Sequence, residues 1–400
     1  MNKSLIKNIC DVSDCLHVTP EYVDEGYPMV RVSEIGNDFL NLSKALRVSK
    51  ENYDLYTSNY HPQKGDIILA RVGAFLGQFA YVDTEEEFCI GQNTTILHPH
   101  KHGKYIYYNL ISDVTQQRLQ KEAAGSAYKS VGVDSIKNFS IDMPDDLTAD
   151  KIGNLLYAID KKIHLNNAIN DYLQQQAMTI YDYWFTQFDF PDENGNPYRS
   201  SGGQMIWSEQ LKREIPIGWE VRCLSELLQK NTRAFDYLSE QPAIDLSVMP
   251  SNSIALSILN KSSNFATNLF EMKQGDILFG SIRPYLHKAG IAPCDGVVAG
   301  TVHSYTTINE LDYNFALITM SRDAFFDFAV NVSTGTRMPV VSSDTLLTYK
   351  VAFSQEIVHK FNCLSLKEPI TINIQENLEL IKLRDWLLPM LMNGQITITD

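Results

Sequence analysis

The stretch Gly125-Ser126-Ala127-Tyr128-Lys129-Ser130-Val131-Gly132-Val133-Asp134-Ser135-Ile136 is written again as Gly335-Thr336-Arg337-Met338-Pro339-Val340-Val341-Ser342-Ser343-Asp344-Thr345-Leu346. Glycine, a small hydroxyl, valine, aspartate, a second hydroxyl and an aliphatic fall in step at an offset of 210 residues. The sequels agree, Asn138-Phe139-Ser140-Ile141 against Thr348-Tyr349-Lys350-Val351. Upstream, Gly65-Asp66-Ile67-Ile68-Leu69 and Gly275-Asp276-Ile277-Leu278-Phe279 keep the same offset of 210. Two matches in one order at one offset mark a duplication, and a duplication dictates the architecture.

Each copy reads as a mixed domain. Gly-Asp-Ile followed by aliphatics is a turn feeding a strand. Ala80-Tyr81-Val82 and Thr94–Leu97 in the first copy, and Val297-Val298 and Thr301–Tyr305 in the second, are further strand candidates. Residues 105–123 and 313–330 predict short helices.

The tract after the first copy is different in kind. Ile152, Ile159, Asn166, Leu173 and Ile180 form one row of period seven, and Leu156, Ile163, Asn170, Ala177 and Trp184 form another. Alternating steps of three and four make a coiled-coil seam, and a buried asparagine at such positions fixes register. A single amphipathic helix on a globular core is the simpler alternative. A helix over 152–185 would span roughly 50 Å at 1.5 Å per residue. After the second copy, Ile374, Ile381 and Leu388 are spaced by seven, with Leu378 offset between them. Pro369 predicts a kink or break in this second tract. Connectivity makes the two tracts antiparallel partners.

The resulting fold class is α+β, with two pseudo-symmetric mixed α/β domains separated by a long antiparallel two-helix coiled coil. The expected boundaries are a first domain over 1–147, a helix over 148–188, a turn-rich linker over 189–215, a second domain over 216–355, a C-terminal helix over 356–394 and a tail over 395–400. The short lead before Leu5-Ile6 predicts an incomplete or differently paired edge strand in the first domain.

Composition excludes several classes. In 400 residues, 44% hydrophobic and 20% charged is a globular balance, not a disordered one. No apolar run reaches membrane-span length and no signal peptide opens the chain, so the expected location is the cytoplasm. Six scattered cysteines form no C-x-x-C pair and are expected to be reduced thiols. The net charge is −14. It divides as −5, −4, −3 and −2 over 1–145, 146–215, 216–355 and 356–400, so no region has the basic balance of a free-standing nucleic-acid binder.

Catalytic signatures are missing. The chain has no phosphate loop, no dinucleotide turn, no nucleophile elbow and no zinc helix. His98-Pro99-His100-Lys101-His102 reads as a surface histidine cluster rather than a metal site. Asp66 and Asp276 read as turn carboxylates that bond backbone amides. The repeated Gly-Ser/Thr loop offers more, since each copy combines a flexible glycine, a hydroxyl and a cation, groups that bond phosphate oxygens and base edges. Candidate contacts are Arg71, Ser126, Tyr128 and Lys129 in the first copy and Arg233, Arg283, Thr336 and Arg337 in the second.

At these residues the chain resembles the specificity subunit of type I restriction-modification enzymes. The likeness rests on Tyr22-Val23-Asp24-Glu25-Gly26-Tyr27-Pro28, on Gly275–Leu286 with Lys288-Ala289-Gly290, on Trp184-Phe185, on Phe190-Pro191-Asp192-Glu193-Asn194-Gly195-Asn196-Pro197-Tyr198, and on Leu383-Arg384-Asp385-Trp386-Leu387-Leu388-Pro389. The resemblance implies two target-recognition domains that each read half of a split sequence in double-stranded DNA. It implies partners: two methyltransferase subunits carrying S-adenosylmethionine, and restriction (translocase/endonuclease) subunits using ATP and Mg²⁺. It implies that this chain is non-catalytic and holds no cofactor or metal of its own. Two other classes remain open on sequence alone: a coiled-coil scaffold with two adaptor domains, and a fused methyltransferase or nuclease with unfamiliar motifs.

Overall fold

The computed structural model describes residues 2–123, 130–236, 239–256, 258–266 and 268–398. The chain divides into two units, Met1–Lys161 with Ile381–Asp400, and Lys162–Leu380. Both are mixed α/β.

In the first unit a five-stranded sheet runs in the order Cys10–Asp14, Thr94–Pro99, Ile67–Ala70, Phe79–Tyr81, Asp38–Phe39. A four-stranded sheet is built from Tyr22–Val23, Leu46–Val48, Tyr27–Val30 and Cys89–Ile90. All four residues of Ile67–Ala70 are buried. Ile67 and Leu69 join a core with helix Gly103–Ile111, whereas Ile68 and Ala70 join one with Val30, Ile90 and Ile96. A strand covered on both faces reads as a continuous apolar run, which is why Ile-Ile-Leu-Ala shows no alternation.

The second unit repeats this plan. One four-stranded sheet runs Leu228–Lys230, Val302–Thr307, Ile277–Gly280, Ala289–Ile291, and a second runs Asn260–Lys261, Pro242–Ile244, Gly296–Ala299, Leu269–Met272. Strands Ile67–Ala70 and Ile277–Gly280, helices Gly103–Ile111 and Tyr313–Ser321, helices starting at Asp113 and Asp323, and strands Ser140–Met143 and Lys350–Phe353 all keep the offset of 210. Val72 bridges Ser130, and Ile282 bridges Val340, again 210 apart. Gln63 N–H donates to Asp66 Oδ2 at 2.9 Å and Lys273 N–H to Asp276 Oδ2 at 2.7 Å, the turn role expected of both carboxylates.

The structure corrects the expected edge strand of the first unit. Asn2–Leu5 pairs antiparallel with Ser140–Met143 over four residues, just as Glu220–Cys223 pairs with Lys350–Phe353. The edge is complete, since Asn2 already faces Met143.

The first long helix covers Asp146–Tyr181 and passes into a wider turn at Asp182–Thr186. Ile152, Leu156, Ile159, Ile163, Asn166, Asn170 and Ala177 are buried along it, and Leu173, Ile180 and Trp184 are partly buried. At Gly153 a side chain would meet the backbone nitrogen of Tyr105 at 2.7 Å, so only glycine allows this approach. The second long helix covers Lys367–Met392, with Ile374 buried and Leu378, Ile381 and Leu388 partly buried. It is shorter than expected, because Gln355–Asn362 is a separate helix. The break falls at 363–366, where Ser365 is left-handed, and not at Pro369. Pro369 lies in the first helical turn, where a missing N–H costs nothing.

The two tracts meet in both units. Within the second unit, Asn166 Nδ2 donates to Glu376 Oε2 at 2.8 Å and to Asn377 Oδ1 at 2.9 Å. Asn377 Nδ2 donates to Asn167 Oδ1 at 2.8 Å, and Asn373 Nδ2 to Asn170 Oδ1 at 2.8 Å. Within the first unit, Arg384 lies 3.0 Å from Asp160. Residue numbers rise along one tract as they fall along the other.

Candidate nucleic-acid interface

Strand Ile277–Gly280 ends in a turn with two left-handed, non-glycine residues, Arg283 and His287, both at φ 51°. Such a backbone costs on the order of 1 kcal/mol or more per residue and persists only where its surroundings enforce it. Here they do. Arg283 N–H donates to Pro339 O at 2.8 Å and Val341 N–H to Ser281 O at 2.9 Å. Thr334 and Val340 exchange both backbone hydrogen bonds at 2.9 Å, closing the loop that carries Gly335. The 335–339 loop is therefore docked on the 281–283 turn. Arg283, Thr336 and Arg337 are exposed there, so the structure brings these three sequence-predicted residues together.

His303 lies beneath. Its Nε2 is 3.3 Å from Val341 O, a hydrogen bond if that nitrogen carries the proton. Burial, with Lys230 nearby, pulls its pKa down to about 4. The ring is neutral near pH 7 and holds the loop as a fixed dipole rather than as a charge.

The other candidates are placed differently. Arg233, its side chain 81% exposed, pairs with Glu271 at 3.2 Å beside strand Leu269–Met272 of the second sheet, away from the docked loop. Arg71 is turned inward, its side chain only 11% exposed, 2.7 Å from Asp14 Oδ1. Its backbone carbonyl accepts from Val131 N–H at 3.1 Å, so the residue fastens the chain at Val131. Ser126, Tyr128 and Lys129 lie outside the described residues.

The three histidines of the cluster do not converge on one point. His98, His100 and His102 turn to three different carboxylates, Asp66, Asp11 and Asp150. Among the described residues, Asp14, Cys15 and His17 are the one group spaced for an ion, and Arg71 already occupies Asp14. No helix among them is long and apolar enough to cross a membrane.

The family model described as the type I restriction modification DNA specificity domain matches residues 3–175. The chain is 23% identical to the MjaIX type I restriction enzyme specificity subunit of Methanocaldococcus jannaschii over 318 residues, 74% of this chain and 70% of the relative. It is 21% identical to the HindI specificity subunit of Haemophilus influenzae over 402 residues, 84% of this chain and 87% of that one. Over most of its length the chain is thus similar to type I restriction enzyme specificity subunits. Its fold is that of the type I S subunit from M. genitalium, with a TM-score of 0.57 at 16% identity, covering 98% of this chain and 95% of that one.

One buried group escaped the sequence reading. Asp160 is 6% exposed, accepts from Tyr108 Oη at 2.5 Å and lies 3.0 Å from Arg384 Nη1. Burial raises the Asp160 pKa, while Tyr108 and Arg384 pull it back. Burial opposes the charge of Arg384, but Asp160 and Asp385 outweigh it and hold its pKa up. Nothing local announces this pairing, because Asp160 and Arg384 are 224 residues apart.

Proposed function

We propose that this chain is a specificity subunit that reads a bipartite DNA target, with residues 1–147 and 216–355 as two target-recognition domains. Each reads one half-site, and the two long helices form an antiparallel coiled coil that sets the gap between half-sites. The observation that carries the reading is the docked turn and loop, 72 against 130 and 282 against 340, present in both units at one offset of 210. Contacts between equivalents add support. Asn166 bonds Glu376, and Asn377 bonds Asn167, each pair 210 apart. Residues related by a twofold axis touch their own equivalents only beside that axis, so these pairs support pseudo-symmetry of the coil.

The subunit is the non-catalytic part of a cytoplasmic complex. Methyltransferase subunits supply S-adenosylmethionine, and restriction subunits supply ATP and Mg²⁺ chemistry. The acidic balance suits such a complex, because its partners provide basic surface. The face of the first long helix that carries Leu165, Ile169 and Tyr172, all exposed at i, i+4 and i+7, is the docking surface assigned to the methyltransferase. The deciding experiment replaces residues 216–355 with the corresponding domain of another family member and sequences the methylated DNA. One half of the motif should change while the other half and the gap stay. A change in both halves would contradict the reading.

A further inference from the structure

The turn that holds Arg283 has a counterpart at the same repeat position in the first unit. Residues 73 and 77 are left-handed glycines at φ 70° and 84°, where the second unit has Arg283 and His287. A short helical turn begins at the first left-handed residue in one unit, Gly73–Phe75, and one residue after it in the other, Pro284–Leu286. Each presents an aromatic ring to solvent at the same place: Phe75, 37% exposed, and Tyr285, 50% exposed. Exposed single aromatics are ordinary. Two at one repeat position, on backbone this constrained, are not.

Both turns are fastened from behind by different chemistry. In the first unit Gln116 Nε2 donates to Gly77 O at 2.9 Å and Gln120 Nε2 to Leu76 O at 3.0 Å. In the second, His287 stacks on Phe326 with centroids 4.4 Å apart, lies 3.1 Å from Asp323, and accepts at its carbonyl from Asn252 N–H at 2.9 Å. Different fasteners hold the same geometry, so it is the position of the ring that is maintained. A ring on a rigid turn loses little entropy when it is covered. In the second unit the ring shares its turn with exposed Arg283, on which the loop carrying exposed Arg337 is docked, and both are cations suited to a polyanion.

We infer that Phe75 and Tyr285 are the aromatic contacts of the two recognition domains, each packing against the base edges and sugars in the groove of its own half-site. The inference rests on the bipartite DNA reading and assigns residues within it. A ring packed on sugars and base edges positions the domain and carries little sequence information. The two rings therefore anchor each domain in the groove, while neighbouring loop residues discriminate.

The test uses the full chain with the methyltransferase subunits of its own system, on duplexes carrying the methylated motif. 5-Iodopyrimidines are placed singly through each half-site, irradiated, and the cross-linked residues mapped by mass spectrometry. The expected result is a cross-link to Phe75 from one half-site and to Tyr285 from the other. Phe75→Ala and Tyr285→Ala should each weaken binding about tenfold, and Phe75→Leu and Tyr285→Leu should not restore the cross-link. Alanine variants that bind like wild type, with cross-links mapping elsewhere, would overturn the inference. If Arg283→Ala and Arg337→Ala still weaken binding in that case, the DNA reading survives and only the aromatic assignment falls. If the wild-type complex does not bind the motif-bearing duplex more tightly than an unrelated one, the DNA reading falls with it.

Discussion

Replacing Arg384 by alanine should destabilise the first unit far more than an ordinary surface arginine would. Asp160, its partner, is 6% exposed and retains only the Tyr108 hydroxyl when the guanidinium is gone. Removing one member of a buried pair costs about 3–5 kcal/mol. The surviving tyrosine bond and the route open to Asp160 of taking up a proton place this case near 3 kcal/mol. In a domain of this size that is about 6–12 °C in Tm. Scanning calorimetry on the full chain, with hydrogen exchange at residues 105–111 to identify the transition that moves, measures it. The pH dependence gives a second check. Burial sets the folded pKa of Asp160 above its ordinary value of 3.8, and loss of Arg384 raises it further. The folded state then holds a proton that the unfolded state has released, so stability falls as pH rises from about 3.8 through the raised pKa. The deficit of the variant should therefore be larger at pH 7 than at pH 5. A Tm drop under about 2 °C, matching exposed Arg233→Ala, would refute the reasoning.

Arg337→Ala should lower target affinity by about 1–3 kcal/mol; if it touches a base it relaxes one motif position, and if it touches phosphate it weakens all sequences alike and reduces the salt dependence, both read by titration at several salt concentrations. Deleting one heptad from each long helix should change the preferred gap between half-sites in a methylation assay, and an unchanged gap would count against the helices as a ruler. His303, with its pKa pulled down to about 4 by burial, should favour the fold above its unfolded value of about 6.5 and lose up to about 3 kcal/mol as pH falls from 6.5 towards 4. His303→Gln should flatten that part of the Tm–pH curve.

The duplication and the long helices were legible because both are periodic. The offset of 210 survives wherever the two units have equal chain length, from Gly65 and Gly275 onward. Ahead of that point the structural offset is 218, since Leu5 and Cys223 occupy equivalent strand ends. A search at one offset therefore misses the first strands. Part of the second sheet of each unit was illegible for another reason: Tyr22–Val23 and Asn260–Lys261 are two-residue strands, too short to show a period of two. Arg71 read as a surface cation because its partner Asp14 comes from a strand 57 residues away. Phe75 and Tyr285 were visible as letters, but their exposure depends on the left-handed residues beside them, which sequence reveals only at Gly73 and Gly77.

On the proposed reading, two copies of one reading head on a single chain require a target in two parts. Sequencing the methylated bases in DNA from cells that carry this chain and its methyltransferase subunits tests that requirement most directly. The account predicts two short specific words separated by a fixed, unspecified gap. A single continuous motif, or no motif that depends on this chain, would contradict it.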